Sequence, residues 1–305
     1  MTSTGKAITL ERYARDNVLV DPGWLQEHLD DPTLRVVEID VSPVAYGKGH
    51  IEGAVLWNVY RDLKDTDYQL VDEAAVQRLM ARSGIVPGST VVFYGYAPAM
   101  GFWLMKLYGH PDVRILDCPR EAWEAGGRPW TSEVSTPTPT RYRLPAQDDR
   151  IRADHATVRS AIGDQSHTLL DVRTDLEFRG ERFWPSGGME AGGRAGHVPS
   201  AVNLSLDGVY DEKGSFAAEA DLRRLFGSID PSGDGEVISY CTIGGRASTA
   251  WFALTYLLGR EHVRVYDGSW AEWGRMPQAP VECDASEQAT PADAQARLRG
   301  GCPDG

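Results

Sequence analysis

In the segment EVISYCTIGGRASTAWFALTYLLG (236–259), an apolar strand-like run ends at Tyr240 and an apolar, helix-length run follows Arg246, with Cys241 at the join. A cysteine at its ordinary pKa near 8.5 is only about 3% thiolate at pH 7, so it needs help to act as a nucleophile. If Thr242, Ile243, Gly244, Gly245 and Arg246 curl tightly between strand and helix, their backbone N–H groups turn inward and add to the positive end of the helix dipole. That field favours a thiolate at the mouth of the loop, and the two glycines permit the curl. The chemistry expected is covalent catalysis by a single thiol that takes up a group and passes it on. The plain alternative is an inert, small apolar residue at a strand end.

The elements that must position this loop occur twice. RVVEID (35–40) precedes GHIEGAVLWN (49–58), and TLLDVR (168–173) precedes GHVPSAVNLS (196–205). VVFYGY (91–96) then matches VISYCT (237–242), and VRILDCPREAWEAGGRP (113–129) matches VRVYDGSWAEWGRMP (263–277). A repeat of this length points to two copies of one fold. The second copy carries an insertion, RGERFWPSGGMEAGGRA (179–195), whose glycines suggest a mobile loop. Short β-branched runs alternate with helix-length segments such as 72–84 and 247–259, the latter closed by Gly259, which predicts a mainly parallel sheet flanked by helices in each copy. The Thr/Pro-rich stretch between the copies reads as an extended linker. The expected division is a first domain at 18–133, a linker at 134–150, a second domain at 151–283 and a flexible tail at 284–305 in which Cys302 is incidental.

The loop differs between copies: Gly95 stands where the second has Cys241, and YAPAMG (96–101) lacks the C-x-x-G-x-R pattern. The first domain is therefore expected to be catalytically silent. The chain has 305 residues and a formal net charge of −13, from 31 Lys+Arg against 44 Asp+Glu, so a nucleic-acid backbone would be repelled. Lys6, Glu11, Arg12, Arg15 and Asp16 break up the N-terminal sequence, arguing against a secretory segment and a membrane span and for the cytosol by default. Cys118, Cys241, Cys283 and Cys302 show no C-x-x-C spacing, which argues against a zinc site or a redox dithiol.

The tandem arrangement, the repeated G-H-[IV]-x-x-A, the loop CTIGGR (241–246) and the closing YDGSWAEWG (266–274) resemble the rhodanese family over about residues 18 to 283. The resemblance implies α/β architecture in tandem rhodanese-like domains, each a mainly parallel sheet with helices on both faces. It also implies an inactive first domain that closes one side of the site, and a sulfurtransferase mechanism. Thiolate Cys241 would attack the outer sulfur of thiosulfate, sulfite would leave, and a persulfide would then pass its sulfur to cyanide or a thiol, with no metal or organic cofactor. Loop N–H groups would stabilise the anionic sulfur. Cysteine phosphatases also join a strand, a Cys-to-Arg loop and a helix, but with C-x5-R. Cys241 to Arg246 is C-x4-R, a smaller cradle that suits sulfur better than phosphate.

Donor choice rests on finer detail. Mercaptopyruvate-using relatives typically carry C-G-[ST]-G, and thiosulfate-using two-domain relatives often carry C-R-K-G. CTIGGR instead resembles the C-x-x-G-x-R loops of bacterial thiosulfate-type members, with Arg246 supplying positive charge. 3-Mercaptopyruvate is the alternative donor, and a non-catalytic binding or sulfur-carrier module the alternative class. Arg179 falls near the family's substrate-binding arginine, and Arg182 and Arg194 lie close by. His50 and His197 recur in both copies and so read as structural. Asp171 and Arg173 are expected in an ion-paired network bracing the loop, Asp117 and Asp267 in architecture, and Trp270 and Trp273 in packing.

Overall fold

The computed structural model describes residues 13–229 and 235–283; the expectations for the tail 284–305 and for Cys302 lie outside them. In chain order the first half forms β1 (Leu19–Val20), α1 (Pro22–His28), β2 (Leu34–Asp40), α2 (Pro43–Lys48), β3 (His50–Ile51), β4 (Val55–Asn58), α3 (Glu73–Arg82), β5 (Thr90–Gly95), α4 (Pro98–Leu107), β6 (Val113–Leu116), α5 (Arg120–Ala125) and β7 (Trp130–Thr131). The second half forms β8 (Arg152–Ala153), α6 (His155–Ala161), β9 (His167–Asp171), α7 (Asp175–Phe178), β10 (Val202–Asn203), α8 (Glu219–Leu225), β11 (Glu236–Tyr240), α9 (Gly245–Phe252), β12 (Val263–Tyr266) and α10 (Ser269–Trp273).

Each half builds a five-stranded parallel sheet, in the order β1-β6-β5-β2-β4 and, running the other way, β10-β9-β11-β12-β8. The two orders superpose: β11 sits between β9 and β12 as β5 sits between β2 and β6. Helices cover the sheets, so central strands read as nearly continuous apolar runs such as VVFY in β5 and VIS in β11 rather than as alternations. Helix starts follow local chemistry: Asp21, Ser42, Asp72 and Asp154 each accept a backbone N–H in the first turn, and Pro22 and Pro43 occupy a position where no N–H is needed. Among the described residues, no helix is long and apolar enough to cross a membrane.

The largest apolar cluster spans both halves. Helices α4 and α9 face each other across the junction, with the Phe102 ring edge-on to Phe252 and Tyr256 at 4.9 Å each. That position explains why α4 carries apolar side chains all round instead of on one stripe. Burying side chains such as Phe102, Leu104 and Leu107 contributes about 2 kcal/mol each, enough to hold the halves together and fix the loop that enters α9.

The junction is also clasped reciprocally. Asp117, just after β6, accepts the Phe216 N–H at 2.7 Å, and Asp267, just after β12, accepts the Leu70 N–H at 2.8 Å. The paired aspartates are architectural, as their sequence equivalence suggests. The same is true of the histidines. His50 stacks on Tyr46 at 3.6 Å and bonds its carbonyl, while His197 stacks on Phe178 at 3.6 Å and bonds that carbonyl.

Candidate active site

Cys241 leaves the end of β11 and is 1% exposed, at the base of a cavity of about 490 Å³ between the two halves. The loop is pinned on its inner side by α10 and the residues before it. Cys241 N–H donates to Ser269 Oγ at 3.1 Å, the Trp270 N–H to the Cys241 carbonyl at 2.9 Å, and the Ala271 N–H to the Thr242 carbonyl at 2.9 Å. Gly244 takes φ +94°, and a Cβ there would lie 2.9 Å from the Asp267 carbonyl, so both conformation and space demand glycine. The consequence is chemical: the Gly244 N–H points back at the Cys241 Sγ, 3.1 Å away. Gly244 is also the N-cap of α9, so the sulfur lies at the positive end of that helix.

Thr242 and Arg246 are joined by a residue that the repeat pattern does not reveal. Glu177, fully buried in α7, accepts Arg246 Nη1 at 2.9 Å, Arg246 Nη2 at 2.8 Å and Thr242 Oγ1 at 2.7 Å. Burial alone would raise the Glu177 pKa, but Arg246 and Thr242 outweigh it and bring the carboxyl down to about 2. Arg246, despite its own desolvation, is held above its ordinary range by Glu177 and by the neighbouring Cys241. One sequence signal was available: Thr174 to Glu177 has capping-box spacing, and Glu177 does return a bond to the Thr174 N–H. Its reach to the loop needs the tertiary fold.

Of the residues expected at the site, Cys241, Thr242, Ile243, Gly245 and Arg246 line the cavity, while Gly244 turns its N–H to the sulfur from within the loop. Arg246 is there, but its charge is matched by Glu177 rather than free for a ligand. Arg179 is not brought to the cavity. It is 49% exposed and paired with Asp175 one turn back in the same helical segment, at 2.7 Å. Arg194 donates to the carbonyls of Met276 and Ala279, ordering the chain after α10, and Arg182 reaches Thr174 Oγ1. Arg173, fully buried, pairs with Asp171 and the Gly196 carbonyl and lies 4.6 Å from the Trp270 ring. It braces the Gly196 step and stacks on Tyr240, just before Cys241, and on Trp270, whose N–H holds the Cys241 carbonyl.

The insertion at 179–195 was expected to be mobile. Instead it is anchored at Phe183, which is buried, and at Arg194, and it presents Trp184 as one cavity wall. The apolar anchors outweigh the glycines. The first half supplies the opposite wall through Tyr60, Tyr96 and Met100, and Tyr210 adds a further ring. Charged lining side chains are Asp207 and Arg246.

The rhodanese-like domain model matches residues 21–126 and again 154–276. Over 282 residues the chain is 40% identical to the "Putative thiosulfate sulfurtransferase SseA" of Mycobacterium tuberculosis, covering 90% of this chain and 93% of that one. It is 39% identical over 278 residues to the sulfur carrier protein TtuD of Thermus thermophilus, covering 88% and 98%. The anaerobic ergothioneine biosynthesis enzyme of Chlorobium limicola, solved with trimethyl histidine, superposes with a TM-score of 0.78 at 21% identity. That match covers 91% of this chain and 72% of the other and shows a shared fold. The double domain match and the near full-length relatives place the chain in the rhodanese-like family, with that domain present in two copies.

Proposed function

We propose that the protein is a sulfurtransferase that carries sulfane sulfur on Cys241 and takes it from thiosulfate. The observation that carries this reading is the Gly244 N–H aimed at the Cys241 Sγ at 3.1 Å, at the head of α9 and at the base of a cavity. Such a donor favours anionic sulfur both before and after transfer. The thiolate attacks the outer sulfur of thiosulfate and forms a new S–S bond. The old S–S bond breaks, and its electron pair leaves with sulfite. Cyanide or a thiolate then attacks the outer persulfide sulfur and returns the Cys241 thiolate.

The first domain is silent in this scheme and contributes one wall. The names of the relatives support thiosulfate as donor and also support a second reading, a carrier that hands sulfur to another protein. The cavity favours that second reading in one respect, being far roomier than thiosulfate or cyanide needs. 3-Mercaptopyruvate is the alternative donor, since Arg246 is already paired and leaves little free positive charge for a dianion.

Intact mass tests nucleophile and donor together. Wild type and Cys241→Ser are incubated separately with thiosulfate and mercaptopyruvate, before and after cyanide. A gain of one sulfur atom in wild type only, from thiosulfate and reversed by cyanide, is the expected result. A gain in Cys241→Ser overturns the assignment of Cys241, and a gain from mercaptopyruvate alone replaces the donor.

A further inference from the structure

Lys64 belongs to the first half of the chain, at an antiparallel bridge with Leu70, yet its side chain is buried in the second. The ammonium is 1% exposed, donates to the Asp267 carbonyl at 2.6 Å and lies 3.5 Å from the Asp267 carboxylate. A Cβ on Gly244 would stand 3.5 Å from Lys64 Nζ, so the lysine packs directly behind the turn whose N–H faces the Cys241 sulfur.

Charge counting around the loop gives this position its meaning. On one side Arg246 is matched by Glu177. On the other, the single carboxylate of Asp267 receives two cations, Lys64 at 3.5 Å and Arg152 at 2.8 Å, together with the Leu70 N–H. Glu272, buried on α10, is a second carboxylate close to Asp267, and Arg152 is a quarter exposed, so Lys64 is the fully buried cation of this group, in a water-poor place where charges act more strongly than at the surface. Toward the cavity, Tyr60, Tyr96 and Asp207 line the same space as Cys241. Burial pushes the Lys64 pKa below its ordinary value, an effect that the Asp267 and Cys241 side chains only partly offset. A buried ammonium behind the Gly244 turn favours negative charge on the sulfur in front of it.

We propose that Lys64 is a positioning residue for the sulfur chemistry of the other domain, seating the Gly244 turn through Asp267 and placing a buried positive charge behind it that favours anionic sulfur at Cys241. The proposal rests on the reading of Cys241 as the sulfur-carrying residue. It gives the silent domain a second contribution beyond a cavity wall.

The test compares wild type with Lys64→Met and Lys64→Gln. Gln removes the charge and keeps a polar N–H on a side chain one bond shorter, and in both variants Asp267 retains Arg152 and the Leu70 N–H. The rate of iodoacetamide alkylation is followed at the Cys241 peptide across pH, beside persulfide formation from thiosulfate. Both variants are expected to shift the alkylation profile up by about one pH unit, a roughly tenfold loss of rate below the midpoint. A wild-type profile in folded Lys64→Gln overturns the proposal, and that variant decides the matter if Lys64→Met does not fold. Alkylation needs no sulfur donor. A shifted profile in protein that never gains sulfur would therefore sustain the role of Lys64 while refuting the sulfurtransferase reading.

Discussion

Replacing Glu177 with Gln keeps the shape of the side chain and removes the charge that ties Arg246 and Thr242 together. The native carboxylate accepts from Arg246 at 2.9 and 2.8 Å, from Thr242 at 2.7 Å and from the Thr174 N–H at 3.1 Å. A neutral amide offers one acceptor oxygen and turns an NH2 group toward donors. The native carboxyl is held at about 2, against 4.5 for an ordinary glutamate, a difference worth about 3 kcal/mol. Glu177→Gln should therefore lower stability by about 3 kcal/mol and the melting midpoint by about 5 °C. Because the folded carboxyl ionises more readily than the unfolded one, the stabilisation is fully present above about pH 4.5 and fades as pH falls toward about 2. The gap between wild type and variant should close over that window. With Thr242 and Arg246 released, persulfide formation from thiosulfate should also fall at least tenfold. Urea titrations from pH 7 downward, with intact mass for persulfide, measure both effects. A variant as stable as wild type at pH 7, or a gap that stays constant into acid, would refute the assignment of Glu177 as the clamp of the loop.

Arg246→Ala leaves Glu177 buried with an unmatched charge, so it should cost about 3–5 kcal/mol as well as weaken persulfide formation, both read by denaturation and mass. Fold loss and activity loss are thus expected together, not activity alone. Gly244→Ala forces a side chain toward the Asp267 carbonyl at φ +94°. It should cost about 1–3 kcal/mol and slow Cys241 alkylation, because the N–H is turned from the sulfur. Arg179→Ala removes only an exposed one-turn pair. It should change stability by less than about 0.5 kcal/mol and leave the dependence on thiosulfate concentration unaltered in steady-state assays.

Much of the fold was legible because it depends on short-range pattern. Strand-like runs at 35–40 and 168–173, the helix at 72–84 realised as α3, and Gly259 at φ +77° beyond the second long helix all follow from local periodicity and turn chemistry. Cys241 stood out because its loop departs from its own repeat. Glu177 and Lys64 did not, because each meets its partner far along the chain, at separations of 65 and 203 residues. No periodicity relates positions that distant. The charge of Arg246 was legible but not its compensation by Glu177. The glycines of 179–195 suggested mobility because composition does not show that Phe183 and Arg194 find anchors.

The repeat also shows what a thiol at the matching position of the first copy would meet. Gly95 occupies the position of Cys241 at φ +101°, and a Cβ there would meet the Ile39 carbonyl at 2.8 Å and Glu38 Cγ at 3.0 Å. A thiol introduced at Gly95 would thus be strained before it could react. What the first copy supplies lies elsewhere: the Tyr60, Tyr96 and Met100 wall, the α4 surface on which α9 packs, and the Lys64 ammonium behind the Gly244 turn. Each requires an intact first domain seated on the second. The reciprocal clasps of Asp117 on Phe216 and Asp267 on Leu70 provide that seating, and Asp267 is also the carboxylate that holds Lys64. A contact that fixes the two copies against each other is therefore also the contact that places the Lys64 ammonium behind the Cys241 loop.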